Sequence, residues 1–502
     1  MRKKQFNSIV IALVVTTALL AALGCWFCRH CHFFQRIAVS LRPSDMEFGE
    51  FGLMAKRGRI LAADGSPLAY TVRKWRFHLD PEVAKFHGLD IQELSREIAN
   101  GLDLEPGEVA TAFSRKSRYV FLAECGETNA ANSWFESHRG LTRRKGLIRE
   151  PVQKRVYPLG DAATAVVGFM LGGAHTDTPR GAGGIEYALD KALRGVDGVY
   201  NKELPQKERN EKATPNPGAD IKTTLAPEMQ KAVFGALASA CATNGAKSAW
   251  GIVMKVPSGD IAAMASWPSF DPSMRRDLDK WDGSMAVNRA AQVVFEPGAL
   301  ARPIVEAIAK DEGELPKEKL YAGLLRFGFG AKTATVGIPG EEPGFFVGPP
   351  NRWDKTTEAC VGMGFGFSAT GLQIAQAYAT LANHGKMVRP HLLARCEDKQ
   401  DVAQPQIVSF NASDSAVRAL KGGVSSTVQT VAGGSYSPTN HIASYVGFCP
   451  ADAPRYVVVV AFERPLPMRK DEDAARPAFV DIAGNLKQSV AAGDGIWMNS
   501  DE

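Results

Sequence analysis

No serine in this 502-residue chain is followed by a lysine three positions later. That spacing matters because a serine hydroxyl is a weak nucleophile and needs an adjacent base. Residues three apart lie on one face of a helix, so the two side chains can meet there. The sequence therefore offers no local serine–lysine pair for acyl-transfer chemistry.

A second chemically suggestive string is Cys28-Arg29-His30-Cys31-His32, which has the C-x-x-C-H form of a covalent haem c site. Cys28, Cys31 and His32 would be the attachment residues. The alternative is a chance match within a membrane-interface belt, which four neighbouring aromatic residues favour: Trp26, Phe27, Phe33 and Phe34. No haem-pocket pattern surrounds the string, so we expect no cofactor, and we expect no metal either.

The start of the chain has the pattern of a membrane anchor. Arg2, Lys3 and Lys4 precede an uncharged apolar run from Ile9 to Phe27. A helix of that length spans a bilayer core of roughly 30 Å, and basic residues ahead of it favour export of the remainder. A cleaved signal peptide and a lipoprotein site at Leu23-Gly24-Cys25 are the alternatives. The length of the run favours an uncleaved anchor.

Composition places the rest of the chain among globular proteins. Apolar residues make up 45% and charged residues 23%, and the net charge is +5. The length requires two or more domains. The near balance of charge argues against nucleic acid as a partner.

The pattern of elements predicts an α+β fold. Residues 35 to about 80 are typical of short strands, residues 82–140 of helices, and the proline-rich stretch Pro205–Gly218 of a domain boundary. A helix is predicted over Ala226–Ala242 and another over Ala478–Leu486. We expect the second to pack on one sheet whose strands come from distant parts of the sequence: Trp250–Met254, Asp260–Ala265, Ile442–Phe448 and Tyr456–Phe462.

Several strings occur in the order found in one family. They include Arg57-Gly58-Arg59-Ile60, Gly183-Gly184-Ile185-Glu186, Glu296-Pro297-Gly298, Phe327-Gly328-Phe329-Gly330 and the run Ser368–Gly385. Together they resemble the class B penicillin-binding proteins over residues 57–485. The resemblance assigns eight residues to structural motifs: Arg57, Gly58, Gly184, Glu186, Glu296, Pro297, Gly298 and Gln373.

The resemblance also implies a domain organisation. Residues 1–34 would be a cytoplasmic tip and anchor, 35–215 an elongated pedestal (dimerisation-like) domain, 216–490 a transpeptidase-like domain with an antiparallel sheet and helices, and 491–502 a tail. The protein would cross the bacterial inner membrane once, with its bulk exported.

The family's three catalytic motifs are absent at the matching positions. Its S-x-x-K tetrad is replaced by Ala299-Leu300-Ala301-Arg302, and its K-T-G by Gly434-Ser435-Tyr436. No serine or asparagine lies between Pro303 and Arg326, where the family has S-x-N. Ser409-Phe410-Asn411 and Lys332-Thr333-Ala334 match letters of these motifs but lie in the wrong places.

We therefore expect a non-catalytic scaffold or regulator in peptidoglycan synthesis or cell division. By resemblance its partners would be the membrane, a polytopic glycan polymerase and other division or elongation proteins, with peptidoglycan as a further candidate ligand. Two alternatives stay open: an active D,D-transpeptidase with a divergent site, and an exported haem c protein.

Overall fold

A computed structural model describes residues 54–126, 129–138, 145–171, 179–200, 211–273, 283–333, 335, 337–394, 406–408, 423–432, 435–464 and 474–491. The chain forms two compact units. The first comprises residues 1–54 and 72–154, and the second residues 55–71 and 155–502. The chain crosses between the two units three times, at residues 54/55, 71/72 and 154/155.

The described strands are β1 Ile60–Leu61, β2 Pro67–Leu79, β3 Val120–Gly126, β4 Leu147–Val156, β5 Met170–Leu171, β6 Arg180–Gly181, β7 Val199–Tyr200, β8 Glu211–Ala213, β9 Ile221–Lys222, β10 Ser248–Lys255, β11 Ile261–Trp267, β12 Val294–Phe295, β13 Phe345–Phe346, β14 Phe367–Thr370, β15 Val424–Ala432, β16 Ser435–Cys449 and β17 Tyr456–Glu463. The described α-helices are α1 Pro81–Phe86, α2 Ile91–Leu102, α3 Pro106–Ser114, α4 Ala130–Ser137, α5 Thr164–Val167, α6 Gly184–Ala188, α7 Asp190–Arg194, α8 Pro227–Asn244, α9 Arg289–Gln292, α10 Arg302–Glu312, α11 Lys317–Arg326, α12 Lys355–Gly362, α13 Gly371–Ala382 and α14 Arg476–Ala491.

The first unit packs helices on an antiparallel strand pair. Along β2, Trp75, Phe77 and Leu79 alternate toward the core, where they meet the apolar face of α2. The Asp90 side chain caps α2 by accepting from the backbone N–H groups of residues 92 and 93.

The helical prediction for residues 82–140 was incomplete, because β3 (Val120–Gly126) lies within it and pairs with β2. A short apolar run does not distinguish a strand from a buried helix, and its partner lies some fifty residues earlier in the sequence, at Lys74–Leu79.

The second unit is built on a five-stranded sheet with the order β11-β10-β17-β16-β15. All its pairings are antiparallel; Trp250 of β10, for example, pairs with Ser266 of β11 and Ala461 of β17. The four strands predicted to share a sheet do share it, which confirms that prediction.

Strand β17 explains why this sheet is so apolar. Val457, Val459 and Ala461 pack into a cluster with α13, whereas Val458 and Val460 pack into a second cluster with α8 and α14. Because helices cover both faces, both sets of alternating side chains are buried, and the strand reads as a continuous apolar run. The predicted helices over Ala226–Ala242 and Ala478–Leu486 are confirmed; the first is shifted by one or two residues to Pro227–Asn244, and the second is longer, at Arg476–Ala491.

Within the described ranges, no helix has the length and apolar character needed to cross a membrane. The apolar run Ile9–Phe27 and the Cys28–His32 string both lie outside those ranges.

Candidate functional site

The motif Glu296-Pro297-Gly298 leads into a single 3-10 turn, Gly298–Ala301, from which α10 continues. The Gly298 N–H donates to the carbonyl oxygen of Gly364 at 2.9 Å, and both glycines have positive φ, 52° and 87°. A Cβ on Gly364 would overlap the Gly298 carbonyl. The Glu296 carboxylate accepts from the Gly366 N–H at 2.8 Å. The turn is therefore held by direct backbone contact with a glycine loop.

A buried tyrosine fixes the other side of this turn. The Tyr378 hydroxyl on α13 donates to the Leu300 carbonyl at 2.9 Å. Burial raises the pKa of Tyr378 well above its ordinary value, so this hydroxyl stays protonated and keeps donating. Sequence reasoning missed Tyr378, since nothing in its local pattern points to residue 300.

The two side chains at the tetrad's first and fourth positions carry no acyl-transfer chemistry. Ala299 is exposed and has no hydroxyl. The Arg302 side chain is 78% exposed, and its Nε donates to Glu306 Oε1 at 2.8 Å along the surface of α10. A guanidinium does not deprotonate in proteins, so Arg302 cannot accept a proton from a nucleophile.

The connection between α10 and α11, where the family has its S-x-N motif, is short. Helix α10 ends at Glu312 and α11 begins at Lys317, and the connection Gly313–Pro316 contains neither serine nor asparagine. No side chain of this connection can serve as the hydroxyl or amide of an S-x-N motif.

The position of the K-T-G motif falls at a hairpin. Strand β15 lies beside the Gly298–Ala301 turn. It ends at Ala432, which pairs with Ser435 at the start of β16, and Val431 pairs with Tyr436. Residues 433 and 434 lie outside the described ranges. The structure therefore brings this edge strand next to the turn that holds Ala299.

The two strings that match motif letters are accounted for differently. Thr333 is buried, and its hydroxyl donates to Glu341 Oε1 at 2.6 Å in the loop after α11. This contact is internal to the loop. Ser409-Phe410-Asn411 and Ala334 lie outside the described ranges.

Gln373 holds several loops to the start of α13. Its Oε1 accepts from the Thr370 N–H at 2.9 Å, and Thr370 and Gln373 form a reciprocal capping box. Its Nε2 donates to the carbonyl oxygens of Ala331 and Pro343, each at 2.8 Å. Because the amide of Gln373 is fully buried and its hydrogen bonds join separate loops, its role is structural.

A buried ionic network involves the remaining motif residues. The Glu186 side chain is 0% exposed and accepts from Arg57 Nε at 2.8 Å and from Arg155 Nε at 2.7 Å. Arg57 also reaches Asp190 at 2.8 Å. Sequence reasoning did not single out Asp190, which begins the next helix, α7, two residues after α6 ends.

Two glycines make this network possible. A Cβ on Gly58 would overlap the Ala219 carbonyl, and Gly184 has a φ of +50° and lies against Val166. Both positions need glycine for close backbone contact.

In the described part of the chain, no group of three or more His, Cys, Asp or Glu side chains could hold a metal ion. The cysteines described there, Cys125, Cys241, Cys360 and Cys449, are free thiols. Burial raises the pKa of Cys241 to about 12, so that thiol is a poor nucleophile at neutral pH.

Two protein families match the sequence: the penicillin-binding protein dimerisation domain at residues 53–223 and the penicillin binding protein transpeptidase domain at residues 307–484. The second match begins after Arg302.

Curated relatives cover most of the chain. Peptidoglycan D,D-transpeptidase FtsI of Escherichia coli K12 is 23% identical over 86% of this chain and 84% of its own length. Stage V sporulation protein D of Bacillus subtilis is 26% identical over 82% and 74%. Penicillin-binding protein PbpB of Mycobacterium tuberculosis is 23% identical over 97% and 84%.

Solved structures share the fold. A peptidoglycan synthetase from Bifidobacterium adolescentis aligns with a TM-score of 0.66 at 20% identity, covering 88% of this chain and 96% of its own. Penicillin Binding Protein 2X from Streptococcus thermophilus aligns with a TM-score of 0.70 at 16% identity, covering 88% and 80%. The fold is thus an α+β penicillin-binding-protein fold with dimerisation and transpeptidase domains. The chain belongs to the class B penicillin-binding proteins.

Proposed function

We propose that this protein is a non-catalytic class B penicillin-binding protein that acts as a scaffold or regulator in peptidoglycan synthesis. The observation that carries the proposal is the turn Gly298–Ala301. Its backbone is hydrogen-bonded to Gly364 and Tyr378, yet its side chains are the methyl group of Ala299 and, directly after the turn, an outward-directed Arg302. A retained scaffold without nucleophile or base favours a role in binding rather than chemistry.

The proposal extends to location and partners. Residues 9–27 anchor the protein in the inner membrane and the remainder is exported, with a pedestal over residues 35–215 and a transpeptidase-like domain over 216–490. Relatives include a protein named as a peptidoglycan D,D-transpeptidase. The partner proposed here is a polytopic glycan polymerase, together with division or elongation proteins, and the anchor and pedestal make the contact.

The test is labelling of the purified protein with a fluorescent penicillin. A denaturing gel and peptide mapping then report any covalent adduct, with FtsI of Escherichia coli treated identically as the positive control. We expect no adduct on this chain, because β-lactams acylate a serine hydroxyl activated by a neighbouring base. A stoichiometric adduct on any serine would contradict the proposal and favour a divergent active enzyme.

A further inference from the structure

A groove in the first unit runs along the outer edge of strand β3. It has a volume of about 380 Å³ and is lined by residues of α3 and by Phe121 and Leu122 of β3. Helix α3 packs on the core face of the sheet. Phe121 lies on the opposite face, because its β2 partner His78 lies between two residues that point into the core. A groove that touches both α3 and Phe121 therefore passes along the edge of β3.

The edge of β3 that faces this groove has no partner strand among the described residues, since β3 pairs there only with β2. A bulge at Leu122, which has no partner on β2, lets the consecutive residues Phe121 and Leu122 both line the groove. Val120–Gly126 contains neither lysine nor proline, which commonly protect open edges, and its one charged residue, Glu124, is held in ion pairs with β2. An open edge of this kind can pair with another extended polypeptide.

The side chains around the groove define what such a polypeptide should carry. Phe121 is 48% exposed, so an apolar side chain of the partner can cover it. Glu108 and Arg115 both line the groove and are exposed, and they lie seven residues or about 10 Å apart along α3. Neither forms an ion pair with another residue of the described ranges. The groove thus presents one negative and one positive charge beside an apolar ring.

We propose that an extended segment of another protein binds in this groove as an added strand on β3. Its backbone pairs with the open edge, and one of its apolar side chains covers Phe121. Residues of opposite charge face Glu108 and Arg115, so the order of the charges along the segment sets the direction in which it binds. A helical partner would leave the backbone groups of the edge unpaired.

Fluorescence anisotropy of labelled peptides with the full-length purified protein tests the proposal. The probes are two peptides of alternating valine and threonine, one beginning with lysine and ending with glutamate, the other with these two residues exchanged. We expect one peptide to bind at least about threefold more tightly than the other. Glu108→Arg with Arg115→Glu should reverse that preference. Glu93→Arg with Arg96→Glu is the matched control, because both residues are exposed on α2 and lie outside the groove.

Two further measurements separate strand pairing from a contact of side chains alone. The preferred peptide with all its backbone N–H groups methylated should bind at least about tenfold more weakly, because it cannot donate hydrogen bonds to β3. Phe121→Ala should weaken binding at least about threefold. Phe86→Ala, which removes a similarly exposed ring from α1, should leave it unchanged. Circular dichroism verifies that each variant is folded.

Four results would overturn the proposal. The first is the absence of binding by either peptide below about 1 mM. The second is equal binding of the two peptides, or a preference that exchanging the charges of Glu108 and Arg115 leaves unchanged. The third is undiminished binding of the methylated peptide. The fourth is a dimeric mass by light scattering that the peptides dissociate, which would assign the groove to a second copy of this chain. The proposal does not depend on the lack of catalysis, since its readout is peptide binding rather than acylation.

Discussion

At the scale of single residues, the Gly298–Ala301 turn has a firmly held backbone, but residue 299 has no hydroxyl and residue 302 is an arginine. The Ala299 turn retains its contacts to Gly364 and Tyr378, while the fourth residue, Arg302, bonds to Glu306 in solvent. A mutation restoring the serine alone would therefore place a hydroxyl on a well-held turn that has no base beside it.

We expect Ala299→Ser to remain unreactive toward labelled penicillin. Ala299→Ser with Arg302→Lys should acylate slowly at most. A lysine as exposed as Arg302 would keep the ordinary pKa of about 10.4, so it would stay protonated at neutral pH and could not act as the base. The missing S-x-N and K-T-G partners would also leave the developing charge unstabilised. A time course of label incorporation, with Ala299→Gly as the control, measures this. Rapid labelling of the single serine variant would show that another group acts as base.

Glu186 is the residue whose loss should destabilise the fold most clearly. Glu186→Gln removes the negative charge shared by Arg57 and Arg155 in a buried network, which should lower the free energy of unfolding by about 3–5 kcal/mol. Asp220→Asn is the control, because its pair with Arg59 is exposed and should contribute at most about 1 kcal/mol. Urea unfolding followed by circular dichroism compares them, and equal effects of the two changes would contradict the expectation.

At the scale of elements, backbone contacts between loops position the candidate site. The glycine loop 364–366 follows α12 and touches the turn before α10, and Gln373 ties further loops to the start of α13. These contacts join segments that lie far apart in the sequence.

The glycine loop gives a matched pair of substitutions. Gly364→Ala should destabilise the protein by more than about 1 kcal/mol, since φ is +87° and the new methyl group would overlap the Gly298 carbonyl. Gly362→Ala should be neutral or slightly stabilising, because its nearest neighbour would be Leu320 at 4.0 Å. Thermal unfolding of both variants measures the two effects. An unchanged melting temperature for Gly364→Ala would show that the backbone at Gly298 and Gly364 can move apart at little cost in free energy.

A second element contact is pH-dependent. Asp260, in the β10–β11 turn, bonds to His391 at 2.6 Å and to Ser258 at 3.0 Å. Burial raises the pKa of Asp260. The hydrogen bond to His391, the charge of His391 and the hydrogen bond from Ser258 together lower it by more, so the pKa of Asp260 lies below its usual value. The folded pKa is below the unfolded value of about 3.9, so the contribution is present above that pH and is lost as pH falls through the folded pKa.

We therefore expect the stability difference between the unmodified protein and Asp260→Asn to be larger above about pH 4 than below it. Denaturant midpoints measured for both proteins across that range provide the test. A difference independent of pH would mean that the Asp260 carboxylate contributes through shape alone.

The sequence predicted these elements unevenly. The sheet of β10, β11, β16 and β17 was predictable because its apolar runs are long and bounded by turns. The strand β3 was not, because its partner β2 is distant and its own run is short. At the candidate site, the absent hydroxyl and base could be read from residue types. The role of Tyr378 could not, since it depends on packing between distant segments. The outward direction of Arg302 could not either, since it depends on which face of α10 is buried.

At the scale of the whole molecule, the α+β fold and family are shown, while the anchor, the domain bounds of residues 35–215 and 216–490, and the lack of catalysis stay predictions. The two compact units divide the chain at residues 54/55, 71/72 and 154/155. The predicted membrane location depends on whether residues 1–34 remain attached to the mature protein.

We expect the run Ile9–Phe27 to remain attached in the mature protein, because it is long enough to span a bilayer and follows three basic residues. Intact-mass measurement of protein from the membrane fraction should find the N-terminal residues present. A variant lacking residues 1–34 is the control and should leave that fraction. An N-terminus at a lipid-modified Cys25 would instead assign the protein to the lipoproteins.

The interrupted course of the second unit has a consequence for biosynthesis. Thr71 and Arg155, which bond at 3.0 Å, are both in this unit, yet residues 72–154 are made between them. At about 5–20 residues per second, the ribosome needs on the order of 4–16 s to supply that stretch. The parallel partner of β1 is made later still, because β9 begins at Ile221. During synthesis the early strand β1 therefore stays unpaired with β9, and we expect nascent chains halted before residue 221 to be cut near residue 60 more readily by a protease than the complete chain.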